Sequence, residues 1–382
     1  MKKIAFLVNS LAHGGGEKIV STIINELSKN IEIELILLEN DIFYKTNQNI
    51  KITKLNTKIK IKSNILKFLS IPFTSWKLAK YIKENKLEVV NSHLYRANYI
   101  NVLAKYFGAK HKCVITNHGD PFQYSKKGFL GQINTFLIKK LYPKADLVIS
   151  ISKVMKHRIL KIAPLSNIVV INNPYDFNTI IELSNQEVNF QFDKNKKYLI
   201  CMGRLIKLKR ISDIIISLSK LDKYIELIIL GDGTEKINLE NLAKKHLVYD
   251  RIHFIGNVEN PFSYLAKSDI FILSSESEGF PNSLIESMIC KLPVISTDCI
   301  SGPREILAPK TNINVQLKDT IEVAEYGILY PVGNIEKLIE SIKFIFDNND
   351  SRIKLINNSN IRAKDFQSIN IVKKYKKVLE IE

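Results

Sequence analysis

The chain has 382 residues, of which 45% are hydrophobic and 25% charged, and its formal net charge is +18. This length exceeds what one hydrophobic core usually serves, so we expect two domains with a core each. No stretch approaches the roughly 20 apolar residues that a spanning helix needs, which excludes an integral membrane protein of that kind.

The four cysteines form no Cys-x-x-Cys pair, and three of them lie in or beside apolar segments. This usage is typical of reduced thiols in a cytosolic protein. The first residues contain only five apolar side chains before Asn9, too few for a signal peptide. We therefore expect the protein to be cytoplasmic.

The first strand begins at Lys3, and a glycine-rich loop of Gly14, Gly15 and Gly16 then opens an apolar-patterned helix. Such a loop lets backbone amides approach an anion, although by itself it is a tight turn more often than a site. It matches neither Gly-x-Gly-x-x-Gly nor the Gly-Lys-Ser/Thr of a phosphate loop, so neither of those motifs accounts for it.

Residues 51–83 contain nine lysines and no acidic residue, and most of the chain's basic excess lies in residues 1–180. Aromatic and aliphatic side chains stand among these lysines: Phe68, Leu69, Phe73, Trp76 and Tyr81. The mixture suits an anionic bilayer surface, although a helix covering its own sheet with a solvated lysine face has the same pattern. Nucleic acid is the other partner that such charge suggests, but no recognition motif supports it.

His118 follows another apolar strand that begins at Val114. A lone histidine at a strand end is more often structural than functional. Beyond it, residues 172–197 interrupt the apolar periodicity with Asn, Pro, Asp and Gln, which indicates a hinge. We predict domains at residues 1–175 and 195–355, each with strands alternating with helices around a parallel sheet, and a terminal helix at 356–382.

After the apolar strand that begins at Lys197, Gly203 and Arg204 lead to Lys209, so cations lie where a strand gives way to a helix. Ligands bind at that edge of a parallel sheet, and Arg and Lys suit the charges of a diphosphate. A solvated helix start is the simpler interpretation of this run alone.

A second strand, turn and helix contain Glu278 and, across a Gly-Phe-Pro turn, Glu286. Amides at the helix start can hold phosphate or sugar oxygens, and the two carboxylates can accept from hydroxyls of two sugars. A nucleotide-sugar has both kinds of group. Two solvated glutamates are the alternative for this pair taken alone.

The Gly-Arg-x4-Lys of residues 203–209, Leu230-Gly-Asp-Gly, Phe254-Ile-Gly-Asn-Val and Glu-x7-Glu together resemble the family 4 retaining glycosyltransferases. The glycine-rich loop resembles that family's Gly-Gly-x-Glu. The resemblance covers nearly the whole chain and implies a GT-B fold, in which two Rossmann-like α/β domains with parallel sheets face each other across a cleft. The terminal helix would brace the first domain.

The resemblance also implies roles. Arg204 and Lys209 would neutralise the diphosphate, Glu278 would contact the transferred sugar, and Glu286 the ribose. His118 would line the sugar pocket, so that the four catalytic candidates are Arg204, Lys209, Glu278 and His118. The implied donor contacts are Gly16, Val258, Gly279, Phe280, Asn282, Ser283 and Glu286, and the implied acceptor contacts are Gly14 and Gly15.

No Asp-x-Asp motif is present, so we expect neither a metal nor another cofactor, and the two cations stabilise the leaving phosphate instead. The resemblance implies retention of configuration by front-side displacement. It also points to bacterial surface polysaccharide or lipid-linked glycan synthesis. The expected donor is a UDP-hexose or UDP-N-acetylhexosamine, with GDP-mannose open, and the expected acceptor a polyprenyl-diphosphate saccharide at the cytoplasmic face of the inner membrane.

Two other classes remain open. A UDP-sugar 2-epimerase shares the two-domain fold and binds the same ligand, but it turns over without an acceptor. A non-catalytic sugar- or membrane-binding protein with a decayed site is the other, against which the presence of Arg204, Lys209, Glu278 and Glu286 speaks.

Overall fold

The structure is a computed structural model that describes residues 2–55, 63–122 and 128–381. It divides into two compact units. The first comprises residues 1–175 and 366–382, and the second residues 176–365. The chain therefore returns to the first unit at Phe366, and residues 356–365 belong to the second.

The first unit contains a seven-stranded sheet in its described residues, with the order β3-β2-β1-β4-β5-β6-β7 and every pairing parallel. Its strands are β1 Ile4–Val8, β2 Ile33–Leu37, β3 Lys51–Lys54, β4 Val89–His93, β5 Lys112–Asn117, β6 Leu147–Ser150 and β7 Ile168–Val170. β1 and β2 are buried at every position because helices cover both faces of the sheet, which explains why their residues are apolar except for Glu34.

Helices of the first unit cover two separate apolar clusters. The helices are α1 Gly15–Leu27, α2 Asn64–Leu69, α3 Ile71–Asn85, α4 Tyr95–Tyr106, α5 Gly128–Leu141 and α6 Lys153–Ile162. Ala5 and Leu7 of β1 join the cluster under α3 and α4, whereas Phe6 faces the cluster under α1. Successive strand residues point to opposite faces, which is why one strand serves both clusters.

The second unit repeats the architecture, with the order β10-β9-β8-β11-β12-β14-β13 and an antiparallel β13 at the edge. Its strands are β8 Lys197–Met202, β9 Ile225–Leu230, β10 Ile252–Gly256, β11 Ile270–Leu273, β12 Val294–Thr297, β13 Glu322–Val323 and β14 Ile328–Tyr330. Its helices are α7 Phe177–Ser184, α8 Ile211–Leu218, α9 Lys236–Lys245, α10 Phe262–Lys267, α11 Asn282–Ile289, α12 Pro303–Leu307, α13 Ile335–Asp347 and α14 Asn349–Ala363.

The last helix, α15 Ser368–Leu379, lies beside α1 in the first unit. Ile371, Tyr375 and Leu379 belong to the same apolar cluster as the α1 residues. Burial of these three side chains accounts for the attachment of the chain's end to the first sheet.

Among the parallel strands of each sheet the order reverses once, between β1 and β4 in the first unit and between β8 and β11 in the second. Ligands of open parallel sheets bind beyond the carboxyl ends of the strands at such a reversal. A ligand site is therefore expected at the loops that follow β1, β4, β8 and β11.

Candidate functional site

Lys209 and Glu278, two of the predicted site residues, form an ion pair in the second unit. Lys209 ends the turn Lys207–Lys209 that follows β8, and its Nζ lies 2.5 Å from Oε1 of Glu278. The hydroxyl of Ser275 donates to the same oxygen at 2.6 Å. Both charged side chains are mostly buried, with exposed fractions of 20% and 12%. The fold thus brings together a cation and a carboxylate that are 69 residues apart in sequence.

Further hydrogen bonds fix the two loops against each other. The hydroxyl of Ser274 donates to the carbonyl of Lys209 at 2.7 Å, and the amide of Glu276 donates to the carbonyl of Leu208 at 2.9 Å. Because β8 and β11 are neighbours, the loops after them emerge side by side. The position of Lys209 is therefore set by backbone as well as by its ion pair.

Arg204 is placed differently from Lys209. Its side chain is exposed, and within the described ranges no residue forms an ion pair or a side-chain hydrogen bond with it. It lies on the same loop after β8, so it is available to a ligand rather than held by the protein.

A close approach of backbones shapes the loop after β8. Gly231, at the end of β9, has φ +129°, and a Cβ there would lie 2.0 Å from the carbonyl oxygen of Gly203. The amide of Gly203 in turn donates to the carbonyl of Leu230 at 2.9 Å. Only glycine fits this position, which gives the Gly-Asp-Gly motif its physical reason.

The second glutamate lies inside the fold. Glu286 is on α11 and is only 3% exposed. Before it, Phe280 is buried, and the carbonyl of Gly279 accepts from the hydroxyl of Ser301 at 2.8 Å. Asn282 and Ser283, the first two residues of α11, are partly exposed and so reachable by a ligand.

Val258 lies two residues beyond β10, at the edge of the sheet and two strands from β8. It is partly exposed. Of the predicted donor contacts in this unit it is the one farthest along the sheet from Lys209.

A buried ion pair beside the site was missed by sequence reasoning. Both oxygens of Asp298 accept from Arg304, at 2.9 and 2.6 Å, and Arg304 also contacts Glu322 at 2.9 Å. Asp298 follows β12, so the pair braces the loop that carries Ser301. Asp298, a charged residue directly after the apolar strand β12, was the sequence feature that could have indicated this ion pair.

In the first unit the site residues come from β1, β4 and β5. A Cβ on Gly16 would lie 3.0 Å from Leu94 and 3.9 Å from Nδ1 of His118, so the glycine lets the loop approach the histidine closely. At Gly14 a Cβ would meet the Glu17 carboxylate, whereas Gly15 starts α1. The three glycines and His118 are thus brought to one end of the sheet.

His118 has a neighbour that the sequence did not suggest. Nδ1 of His93, the last residue of β4, lies 2.8 Å from Nε2 of His118. Burial lowers the pKa of His118 to about 4. Burial, and secondarily the nearby His118, lowers the pKa of His93 well below its usual range. Both rings are therefore neutral at physiological pH.

The loop after His118 is also held in place. The carbonyl of Gly119 accepts from Tyr95 at 2.8 Å and from Asn117 at 2.7 Å. Asp120, nearly fully buried, forms a bidentate pair with Arg158 at 2.7 and 2.8 Å. These contacts hold the backbone that carries the histidine.

Two seven-stranded sheets, parallel except at β13 and each with polar loops at its point of reversal, define a protein of two Rossmann-like α/β units. A family model described as "Glycosyltransferase Family 4" matches residues 13–179, and one described as "Glycosyl transferases group 1" matches residues 184–362. The first match covers β2 to β7 of the first sheet, and the second covers all strands of the second sheet.

Curated relatives agree over the full length. A Campylobacter jejuni protein named N-acetylgalactosamine-N,N'-diacetylbacillosaminyl-diphospho-undecaprenol 4-alpha-N-acetylgalactosaminyltransferase is 30% identical over 98% of each chain. A second one from the same organism, named GalNAc-alpha-(1->4)-GalNAc-alpha-(1->3)-diNAcBac-PP-undecaprenol alpha-1,4-N-acetyl-D-galactosaminyltransferase, is 27% identical over 99% of this chain and 98% of its own.

Among solved structures, Anabaena HepE in complex with UDP aligns with a TM-score of 0.78 at 17% identity, covering 99% of each chain. That likeness shows the fold. The chain belongs to the family 4 glycosyltransferases and is a glycosyltransferase of GT-B fold, as the sequence predicted. The resemblance and the predicted enzyme class are therefore confirmed.

Proposed function

We propose that the protein transfers an N-acetylhexosamine or hexose from a nucleotide-sugar, UDP-linked, to a saccharide carried on a polyprenyl diphosphate, with retention at the anomeric carbon. One observation carries the proposal: 30% identity over 98% of a relative whose name specifies a diphospho-undecaprenol acceptor and an N-acetylgalactosaminyl group. The assembled Lys209–Glu278 pair supports an active rather than a decayed site.

Lys209 and Arg204 stabilise the leaving group in this proposal. The bond between the anomeric carbon and the diphosphate oxygen breaks while the acceptor oxygen bonds on the same face of the sugar. The acceptor proton passes to the departing phosphate. Negative charge grows on that phosphate, and fixed cations in a partly buried site stabilise it without reorganisation. Lys209 is already oriented by its ion pair, whereas Arg204 is free to move onto the ligand.

In this proposal Glu278 and Glu286 contact different parts of the donor, the transferred sugar and the ribose. Oε1 of Glu278 accepts from Lys209 and Ser275, which leaves Oε2 to accept from sugar hydroxyls. Glu286 is the ribose contact, and Asn282 and Ser283 offer amides at the start of α11 for phosphate or sugar oxygens. Gly279, Phe280 and Val258 complete the donor contacts. In the first unit we propose Gly16 as a donor contact, Gly14 and Gly15 as acceptor contacts, and His118 as a sugar contact.

We also propose that the first unit contacts the anionic cytoplasmic face of the inner membrane. Five apolar side chains of α2 and α3 are 48–71% exposed: Ile65, Leu66, Leu69, Phe73 and Trp76. The ring of Phe73 stacks on Trp76 at 5.9 Å and lies under Lys77 Nζ at 4.7 Å. Apolar side chains ringed by lysines suit the boundary between headgroups and acyl chains. Within the described ranges, no helix is long and apolar enough to cross a bilayer.

Other residues of this region do not contribute to such a membrane-contacting surface or lie outside the described residues. Phe68 and Tyr81 pack against the core of their own unit, so these two do not belong to the exposed surface. Lys67 pairs with Glu39 at 2.9 Å. Lys60 and Lys62 lie outside the described residues.

A panel of nucleotide-sugars with and without a polyprenyl-diphosphate saccharide tests the activity. We expect transfer only when both are present. Turnover of UDP-N-acetylglucosamine without acceptor would identify a 2-epimerase. Binding without turnover of any donor in the panel would identify a non-catalytic protein.

A further inference from the structure

A buried pair of histidines links β4 to the site of the first unit. His93 is fully buried at the end of β4, and its ring stacks on Phe6 with centroids 5.7 Å apart. Its Nδ1 lies 2.8 Å from Nε2 of His118. Its other nitrogen, Nε2, has no hydrogen-bond partner among the described residues. The hydrogen bond to His118 is thus the polar contact that the described residues give this ring.

A single proton lies between the two facing nitrogens because both rings are neutral. In one arrangement His93 Nδ1–H donates to Nε2 of His118, and the proton of His118 is then on its Nδ1. In the other arrangement His118 Nε2–H donates, and the proton of His93 is on its buried Nε2. Which nitrogen of a histidine is protonated depends on the bond that the other nitrogen makes.

The two arrangements differ in what they leave buried. The second places an N–H donor at Nε2 of His93, where no described residue accepts it. The first leaves only a bare lone pair at that atom. An orphaned buried N–H is rarer in proteins than an under-used acceptor, so the first arrangement is favoured.

We propose that His93 is a positioning residue that holds the proton of His118 on Nδ1, so that His118 presents an N–H donor beside Gly16 to a substrate oxygen. The identity of the ligand rests on the proposed function, whereas the tautomer does not. With its Nδ1 protonated, His118 cannot take the acceptor's proton through that atom. This agrees with a displacement in which the leaving phosphate takes it.

Nitrogen NMR of the full chain labelled at its histidines measures the tautomer without any substrate. The chain has seven histidines, and the spectra of His93→Phe and His118→Gln identify the two signals. We expect the Nδ1–H form for His118 in the wild type and the Nε2–H form, which isolated imidazoles prefer, in His93→Phe. An Nε2–H form in the wild type, or an unchanged tautomer in His93→Phe, overturns the proposal.

Values of kcat/KM for variants of His93 distinguish a role in positioning His118 from a role in packing alone. Phenylalanine keeps an apolar ring at a fully buried position but removes the donor, so His93→Phe should lower kcat/KM for the donor sugar tenfold or more with the Kd for free UDP unchanged. Asparagine carries its amide near the position of Nδ1, so His93→Asn should recover most of that loss. Glutamine reaches the Nε2 position instead and should not.

The His93→Asn and His93→Gln pair also serves if His93→Phe does not fold. Equal activities in this pair would contradict a role for the Nδ1 donor. If the wild type showed no transferase activity, the proposed function would be wrong. The tautomer measurement would still test whether His93 holds the proton of His118 on Nδ1.

Discussion

At the residue scale, Lys209 is one of two cations that should matter most for the chemical step. It is mostly buried and is held by Glu278 and by the loop after β11, so its charge is fixed beside the proposed diphosphate. We expect Lys209→Ala, and also Arg204→Ala, to lower kcat/KM about a hundredfold, the order seen when one charge-stabilising group is removed.

Lys207→Ala is the matched control, because this exposed lysine lies on the same turn. Its rate should stay within about twofold of the wild type, because Lys207 is exposed and takes no part in the ion pair with Glu278. Initial rates with saturating acceptor measure all three variants. Near-wild-type rates in both Lys209→Ala and Arg204→Ala would remove these residues from the diphosphate site.

Metal removal is a second test at this scale. Since Arg204 and Lys209 supply the positive charge in the proposed step, transfer should continue in excess chelator at the untreated rate. Rates before and after dialysis against EDTA measure this. A strict requirement for added Mg²⁺ or Mn²⁺ would contradict the proposal.

The two glutamates should differ in what they bind. Glu286 is proposed to hold the ribose, which donor and product share, so Glu286→Ala should weaken binding of free UDP. Glu278 is proposed to contact the sugar, so Glu278→Ala should leave UDP binding nearly unchanged and mainly slow transfer. Calorimetry with UDP distinguishes the roles, and equal losses in the two variants would mean that this division is wrong.

Glu278 and Lys209 could be predicted from sequence because each follows an apolar strand within a motif of fixed spacing. His93 could not, because its proposed role comes from one contact with a residue that follows the neighbouring strand. The sequence Val-Val-Asn-Ser-His of β4 does turn polar toward its carboxyl end, which was the available signal. The contact between His93 and His118 could be expected only after β4 and β5 were known to be neighbours in the sheet.

At the scale of elements, the loops after β8 and β9 depend on Gly231. A Cβ at this position would lie 2.0 Å from a backbone oxygen, which cannot move aside as a flexible side chain can. We expect Gly231→Ala to lower the free energy of unfolding by more than about 2 kcal/mol, combining overpacking with an unfavourable φ.

Gly256→Ala is the control for this substitution. Gly256 also has a positive φ, +84°, but nothing lies within 4 Å of a Cβ there. It should lose only the part that φ strain contributes, about 1 kcal/mol. Urea unfolding followed by circular dichroism measures both variants. Equal losses would show that the close approach to Gly203 does not determine stability.

The strands were predictable because parallel strands covered on both faces are continuous apolar runs, as in β1 and β11. The sequence predicted an apolar and basic surface on α2 and α3, but it did not predict which of its apolar side chains are exposed. Leu69, Phe73 and Trp76 are exposed, but Phe68 and Tyr81, which belong to the same pattern, are packed inward. Helix periodicity gives the relative directions of side chains, and only the packing decides which direction faces the core.

At the scale of the whole molecule, the basic excess and the exposed apolar side chains of α2 and α3 occur on the same unit. Apolar side chains supply insertion into the interface, and lysines add about 1 kcal/mol each near an anionic surface. The acceptor proposed for this enzyme is anchored in such a surface. Binding there would therefore bring enzyme and acceptor together in two dimensions.

We accordingly expect the protein to bind vesicles containing anionic lipid and to dissociate as salt rises, because exposed charges are screened beyond about 10 Å at 0.1 M ionic strength. Phe73→Ser with Trp76→Ser should weaken binding at every salt concentration. Charge reversal at Lys77 and Lys80 should weaken it mainly at low salt. The two contributions are separable because only the second is screened.

The control is Ile237→Ser, which removes a side chain of 71% exposure from α9 in the second unit and should leave vesicle binding unchanged. Co-sedimentation measures binding. Transfer assays with a lipid-linked acceptor and with a short soluble analogue then show whether binding matters for turnover. The surface variants should slow only the first reaction, because none of the proposed donor contacts lies on α2 or α3. Equal binding to neutral and anionic vesicles would instead assign these lysines to an ordinary solvated helix face.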